Sequence, residues 1–121
     1  GGVEDLSRRL HDWLKKQARF LIVSRAYSKA AQINRKPTRI TLRDTRTRWG
    51  SCSFEGRLSF SWRLIMAPPE ILDYVVAHEV SHLAHMNHSS IFWKTVDQLT
   101  KNARDCREWL HANGNSLHRI G

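Results

Sequence analysis

Little in this chain would tie it together covalently or hold it in a membrane. Its 121 residues include two cysteines, Cys52 and Cys106, and neither belongs to a C-x-x-C pair. A disulfide framework and a zinc ribbon are therefore not indicated, and reduced thiols in a cytoplasmic protein are expected. No apolar run reaches the roughly 20 residues that span a bilayer, and no signal peptide is recognisable. Repeats, low-complexity tracts and linkers are also missing, so a single domain over residues 1–121 is expected. The opening Gly1-Gly2 reads as a tag remnant or a cut, which anticipates natural sequence upstream, this chain being the C-terminal part of a longer protein.

Acidic residues are scarce as well: 11 Asp and Glu face 20 Lys and Arg, for a net charge of +9. The shortfall is uneven. Residues 1–63 carry 15 basic against 5 acidic side chains, whereas residues 64–121 carry 5 against 6. A positive field of this kind attracts nucleic acid, acidic substrates or anionic surfaces. The charges are scattered rather than grouped, so a solvated face is the simpler reading. Weak nucleic-acid contact through the basic first half is the alternative.

What is present argues for a folded α+β domain. Hydrophobic residues make up 40% of the chain and there are five tryptophans, which excludes a disordered polyelectrolyte. Leu6, Leu10, Trp13, Leu14, Ala18, Leu21 and Ile22 recur at helical spacing, predicting one long helix or two joined end to end over residues 4–34, stopped by Pro37. "RITLRD" (39–44) alternates as a half-buried strand, "TRWGSCS" (47–53) suits a second, and "RLSFSW" (57–62) a third with Leu58, Phe60 and Trp62 on one face. "FEGR" between the last two fits a tight turn at Gly56. A small, mostly antiparallel three-stranded sheet follows from this reading. "APPE" (67–70) can open a helix running to about residue 85. The break at 87–89 leaves Ser89 or Asn87 to cap a helix through Ile91, Phe92, Val96 and Leu99. A last helix over 104–113 stops at "NGN".

The chemistry concentrates in "VVAHEVSHLAHMNHSSIFW" (75–93). His78-Glu79-x-x-His82 sets two imidazoles at i and i+4, on one helical face and aimed at one cation. Glu79, turned by about 100° from His78, is placed to take a proton from a metal-bound water and pass it to a leaving amine. Two imidazoles bind zinc weakly, and a catalytic site needs a third protein ligand plus an open position. His88, ten residues after His78 and past the break, is the preferred third; it stands where the H-E-x-x-H-x-x-G-x-x-H pattern has its last histidine, although His85 replaces the glycine. His85 and Asp97 are the alternatives, and His85 lies two turns from His78. Burying these groups with no shared partner would cost several kcal/mol, which weighs against a core-histidine reading. A structural zinc would favour cysteine ligands and leave Glu79 without a role.

The stretches "TRWGSCS", "LSFSWRLIMAPPEILDYVVAHEVSHL" and "MNHSSIFW", within Thr38–Val96, resemble the YgjP-like zinc metallopeptidase family, a relative of the SprT-type and WLM proteases. The resemblance implies His78, His82 and His88 as ligands of one catalytic Zn²⁺, Glu79 as general base, and a peptide or protein substrate. It also implies a zincin-like fold: a long N-terminal helix, a small sheet whose edge strand borders the cleft, an active-site helix below it, and C-terminal helices. Members usually carry β-rich sequence upstream. Arg48, Arg63 and Tyr74 are candidate oxyanion contacts, with a surface strand residue as the simpler reading of Arg48. Trp49, Gly50 and Ser51 are placed near the edge strand, the alternative being Trp49 in the core and Gly50 as a bulge or close backbone contact. Asp73 and Asp97 could orient a ligand histidine, with solvated helix charges as the simpler reading. Phe92 is expected in the core, and Trp93 against the sheet or the "APP" turn. The competing functions are a nucleic-acid-associated protease-like module acting on DNA-bound proteins, and an inactive zinc-binding domain.

Overall fold

The computed structural model describes residues 1–45 and 48–113. Thr47, at the head of the expected second strand, and the Gly114-Asn115 stop lie outside them. Helix α1 (Gly2–Gln32) is followed by strands β1 (Arg39–Arg43), β2 (Gly50–Cys52) and β3 (Arg57–Ser61). A 3₁₀ turn (Trp62–Met66) leads into α2 (Pro69–Ser81), α3 (Ser90–Leu99) and α4 (Ala103–Asn113). The fold is α+β, as expected.

The long helix is one continuous element. It ends at Asn34, whose left-handed φ of 57° lets Arg35 N–H reach the Ala30 carbonyl (2.9 Å) and Asn34 N–H the Ala31 carbonyl (3.1 Å). That is a Schellman stop, three residues before Pro37. Along α1 the apolar stripe divides. Ala18, Ile22, Ala26 and Ala30 form a buried ridge of mostly small side chains at four-residue spacing, which allows close packing on α2 and the 3₁₀ turn. Leu6, Leu10 and Trp13 are more than half exposed, so the first half of the helix projects beyond the core.

The sheet is mixed rather than mostly antiparallel. Its order is β1-β3-β2: β2 runs antiparallel to β3, while β1 pairs in parallel with it, from Arg39 beside Arg57 to Arg43 beside Ser61. The start of β1 explains the difference. Thr38 N–H donates to the Gly56 carbonyl (2.9 Å) and Thr38 Oγ1 to the Glu55 carbonyl (3.0 Å), fastening the head of β1 to the β2–β3 turn. β1 therefore sets out beside β3 in the same direction, and β2 occupies the opposite edge of β3. The turn itself is as expected, with Gly56 at φ 85°. Leu58, Phe60 and Trp62 are all buried, Trp62 from within the 3₁₀ turn.

Helix α2 is the centre of the molecule. Pro69 occupies its first turn with Glu70, and from Tyr74 to Ser81 every side chain is buried. α1, α3, α4, β2 and the 3₁₀ turn all pack on it. Asp73 joins three elements: it accepts from Arg25 (3.2 Å) and Lys29 (3.2 Å) of α1 and from Thr100 Oγ1 (2.6 Å) after α3. Lys29 Nζ also donates to the Leu99 carbonyl. Asp73 is thus a fastening between helices, not an orienter of a ligand histidine.

Candidate metal centre

α2 ends at Ser81, a turn earlier than the sequence predicts. Ser81 Oγ bonds back to the Ala77 carbonyl (2.7 Å). His82, Leu83 and Ala84 then donate to the carbonyls of Glu79, Val80 and Ser81, tightening the last turn to three-residue bonds. His78 therefore projects from regular helix and His82 from its C-cap. The chain curls past His85 and returns His88 to the same point. Ser89 fixes that return by capping α3, its hydroxyl accepting from Phe92 N–H.

His78, His82 and His88 each offer a ring nitrogen, and these atoms lie within 4.8 Å of one another. The rings splay around a common point: His78 and His82 are inclined at 75° with centroids 5.1 Å apart, His82 and His88 at 72° and 4.9 Å. His78 and His82 are buried, and His88 stands at the open side. The side chains of His85 and Asp97 do not join this group.

The ring contacts set which nitrogens face inward. His82 Nδ1 lies 3.0 Å from the His85 carbonyl, which can only accept, so Nδ1 carries the proton and Nε2 keeps a lone pair. His78 Nδ1 meets the Tyr74 hydroxyl at 3.3 Å, which likewise leaves Nε2 for the site. Burial raises the Tyr74 phenol above its ordinary range, with Arg107 acting the other way. Phe92, fully buried, lies almost flat on His82 (4.4 Å, 29°) and edge-on to His78 and His88, forming the floor. Trp93 lies parallel to His88 (22°, 5.7 Å) rather than against the sheet or the Pro68-Pro69 turn. Three imidazoles whose ring nitrogens converge are a donor set suited to zinc, and the open side leaves room for another ligand.

Glu79 is fully buried beside the sheet edge. A Cβ on Gly50 would stand 3.0 Å from Glu79 Cγ and 3.3 Å from Oε2, so glycine is what lets β2 pass this close. Cys52, on the same strand, has its thiol pushed up to about 12 by burial, with Glu79 adding to the effect. It is not a ligand here. Trp49 is buried in the core. Arg48 is exposed and borders a hollow of about 260 Å³ that includes Gly50 and Ser51. Arg63 donates to Asp44 (2.9 Å) and stacks on Trp62, away from the histidines. A larger cleft of about 830 Å³ opens on Tyr74, His78, His88 and Trp93, with α4 as its far wall. Sequence reasoning passed over the α4 wall and the ring platform. Phe92 and Trp93, four and five residues beyond His88, were the available signal for the platform.

The fold is similar to that in the crystal structure of the metallopeptidase zymogen of Pyrococcus abyssi abylysin, with a TM-score of 0.58 over 90% of this chain and 96% of that one. Identity to it is 19%, so the likeness is one of fold. A search of curated protein sequences finds no significant match. Residues 2–113 match the family description "YgjP-like, metallopeptidase domain", a span that takes in the histidine cluster, the β2 edge and both helical walls of the cleft. The chain belongs to the YgjP-like metallopeptidase family.

Proposed function

We propose that this chain is a zinc-dependent metallopeptidase, with His78, His82 and His88 as the ligands of one zinc ion and Glu79 as the general base for peptide-bond hydrolysis. The convergence of three imidazole donors beside a buried carboxylate carries the reading. A bound zinc ion would supply Lewis acidity toward a carbonyl oxygen and toward water. The protein's share is positional. Tyr74 and the His85 carbonyl fix the ring orientations of His78 and His82, and Phe92 keeps the underside of the rings dry. Glu79 takes the proton of the attacking water at its carboxylate and returns it to the leaving amine nitrogen. β2 lies at the sheet edge beside Glu79, where an extended peptide can pair with main-chain groups and be held across the site.

The test is Glu79→Gln. The variant should bind zinc stoichiometrically and lose hydrolysis of a degenerate peptide library. Alanine at 78, 82 or 88 should lower the zinc content, and alanine at 85 should not. Hydrolysis surviving in Glu79→Gln, or a wild-type protein that stays metal-free after zinc loading, would refute the assignment.

A further inference from the structure

Two guanidinium groups of α4 stand in the wall of the cleft that opens on His78 and His88. Arg104 and Arg107 are three residues apart, so they share one helical face, and both line the cleft. Arg107 is held in an unusual way. Its guanidinium carbon lies 3.9 Å over the Trp93 ring, and Trp93 in turn lies parallel to His88. Guanidinium and imidazole therefore both lie against the Trp93 ring, which ties Arg107 to the histidine cluster.

Stacking fixes a guanidinium through its face and leaves the N–H fork in its plane free to bind. Four arginines, Arg8, Arg25, Arg57 and Arg63, each meet a carboxylate within 4.0 Å. Among the described residues neither Arg104 nor Arg107 does. Glu108 also borders the cleft, so the wall carries two guanidiniums against one carboxylate. The surplus is local, because residues 64–121 as a whole are slightly acidic. Bidentate binding of a planar oxyanion is what such a fork is shaped for.

The geometry points to a carboxylate-binding subsite: Arg107, seconded by Arg104, holds a carboxylate of the substrate and makes the enzyme selective for anionic peptides. This rests on the peptidase reading and names its substrate class. The Trp93 centroid lies 3.9 Å from the guanidinium carbon and 5.7 Å from the His88 ring centroid, which keeps guanidinium and imidazole within about 10 Å of each other. An extended peptide advances about 3.3 Å per residue, so the carboxylate belongs within about three residues of the cleaved bond. An Asp or Glu side chain and a free C-terminus present the same group.

The test uses the zinc-loaded full chain and three amidated peptide pools that differ only in carrying Glu, Gln or Lys around the cleavage site. A fourth pool is the Gln pool as free acid. kcat/KM for the Glu pool or the free-acid pool should exceed that of the neutral amide on the order of tenfold or more, chiefly through KM. Which of the two pools gains identifies the source of the carboxylate. The ratio should fall toward one in Arg107→Ala, be partly kept in Arg107→Lys, and invert toward the Lys pool in Arg107→Glu. A second readout is anisotropy of labelled peptides on zinc-loaded Glu79→Gln, where acidic peptides should bind about tenfold tighter than neutral ones and lose that margin in high salt. Equal cleavage and equal binding of acidic and neutral peptides, or a preference unchanged by Arg107→Glu in a folded protein, would overturn the subsite. Should no pool be cleaved at all, the peptidase reading fails separately and the binding arm alone decides.

Discussion

Gly50→Ala is a sharp probe of how the proposed base is held. The added methyl carbon would stand 3.0 Å from Glu79 Cγ, 3.1 Å from a Phe60 ring carbon and 3.3 Å from Glu79 Oε2. Ordinary carbon–carbon contact is about 3.5–4.0 Å, so the neighbours must give by a few tenths of an ångström on two sides at once. Neither neighbour can give way into solvent, because Glu79 and Phe60 are both fully buried. Two reliefs remain: β2 lifts away from α2, or the carboxylate rotates. The first opens a gap beside the carboxylate and the second moves its oxygens by a few tenths of an ångström, while His78, His82 and His88 lie outside the clash. Overpacking of this kind costs about 1–3 kcal/mol in stability. At a slope of about 4 °C per kcal/mol for a chain of this length, the melting temperature should drop by about 4–12 °C. A misplacement of about 1 Å costs on the order of 10²-fold, so a base moved by a few tenths should lose roughly threefold to tenfold in kcat. Zinc content should be unchanged. Calorimetry, metal analysis and peptide hydrolysis on one preparation separate these effects. A folded, zinc-replete Gly50→Ala with wild-type kcat would show that close passage of β2 does not position the base.

Three further outcomes follow from named contacts. Tyr74→Phe removes the hydroxyl that meets His78 Nδ1 and should weaken zinc binding about 10–100-fold in chelator competition, with the fold intact; unchanged affinity would remove Tyr74 from the support of the site. Asp73→Ala leaves Lys29, whose side chain is 10% exposed, without its carboxylate, and also strips Arg25 and Thr100. A loss of about 2–4 kcal/mol, or about 10 °C in melting temperature, is expected, and a shift under about 2 °C would contradict it. Cys52 has its thiol raised from 9.0 to about 12, so at pH 8 its thiolate fraction is about a thousandfold below that of the unfolded chain and native alkylation should be slower by about that factor. The sign for stability follows. A folded value above the unfolded one contributes below pH 9 and is lost as pH rises toward 12, so Cys52→Ala should flatten the alkaline fall in stability between those limits. Rapid labelling of native Cys52 at pH 8 would refute both.

The parts of the fold readable from sequence were those set by neighbours along the chain. α1, the β2–β3 turn at Gly56, the Pro68-Pro69 start of α2 and the Ser89 cap each follow from residues within a turn of one another. The parallel placement of β1 was not readable, because alternation in "RITLRD" gives the face of a strand and says nothing of its direction. That direction depends on Thr38 bonding to Glu55 and Gly56, a contact 17–18 residues away. The exposure of Leu6, Leu10 and Trp13 has the same origin: helical spacing gives a stripe, and only tertiary packing decides how much of it is covered.

The same division runs through the site. His78 and His82 were legible because a helix sets their separation, and His88 because the break at 87–89 returns the chain within ten residues. What closes around them was not, since each closing contact joins segments far apart in sequence. Gly50 makes room for Glu79 across 29 positions, and Arg107 reaches Trp93 across 14. Such contacts also explain why the chain spends a glycine in "RWGSC" and an adjacent aromatic pair in "SSIFW" where simpler residues would preserve strand and helix. The glycine admits the carboxylate to the sheet edge. Phe92 turns inward under the rings, and Trp93 turns outward to carry a guanidinium beside them. A helix places those two side chains about 100° apart, so a single dipeptide can serve as both the dry floor of the histidine cluster and the charged wall of its cleft.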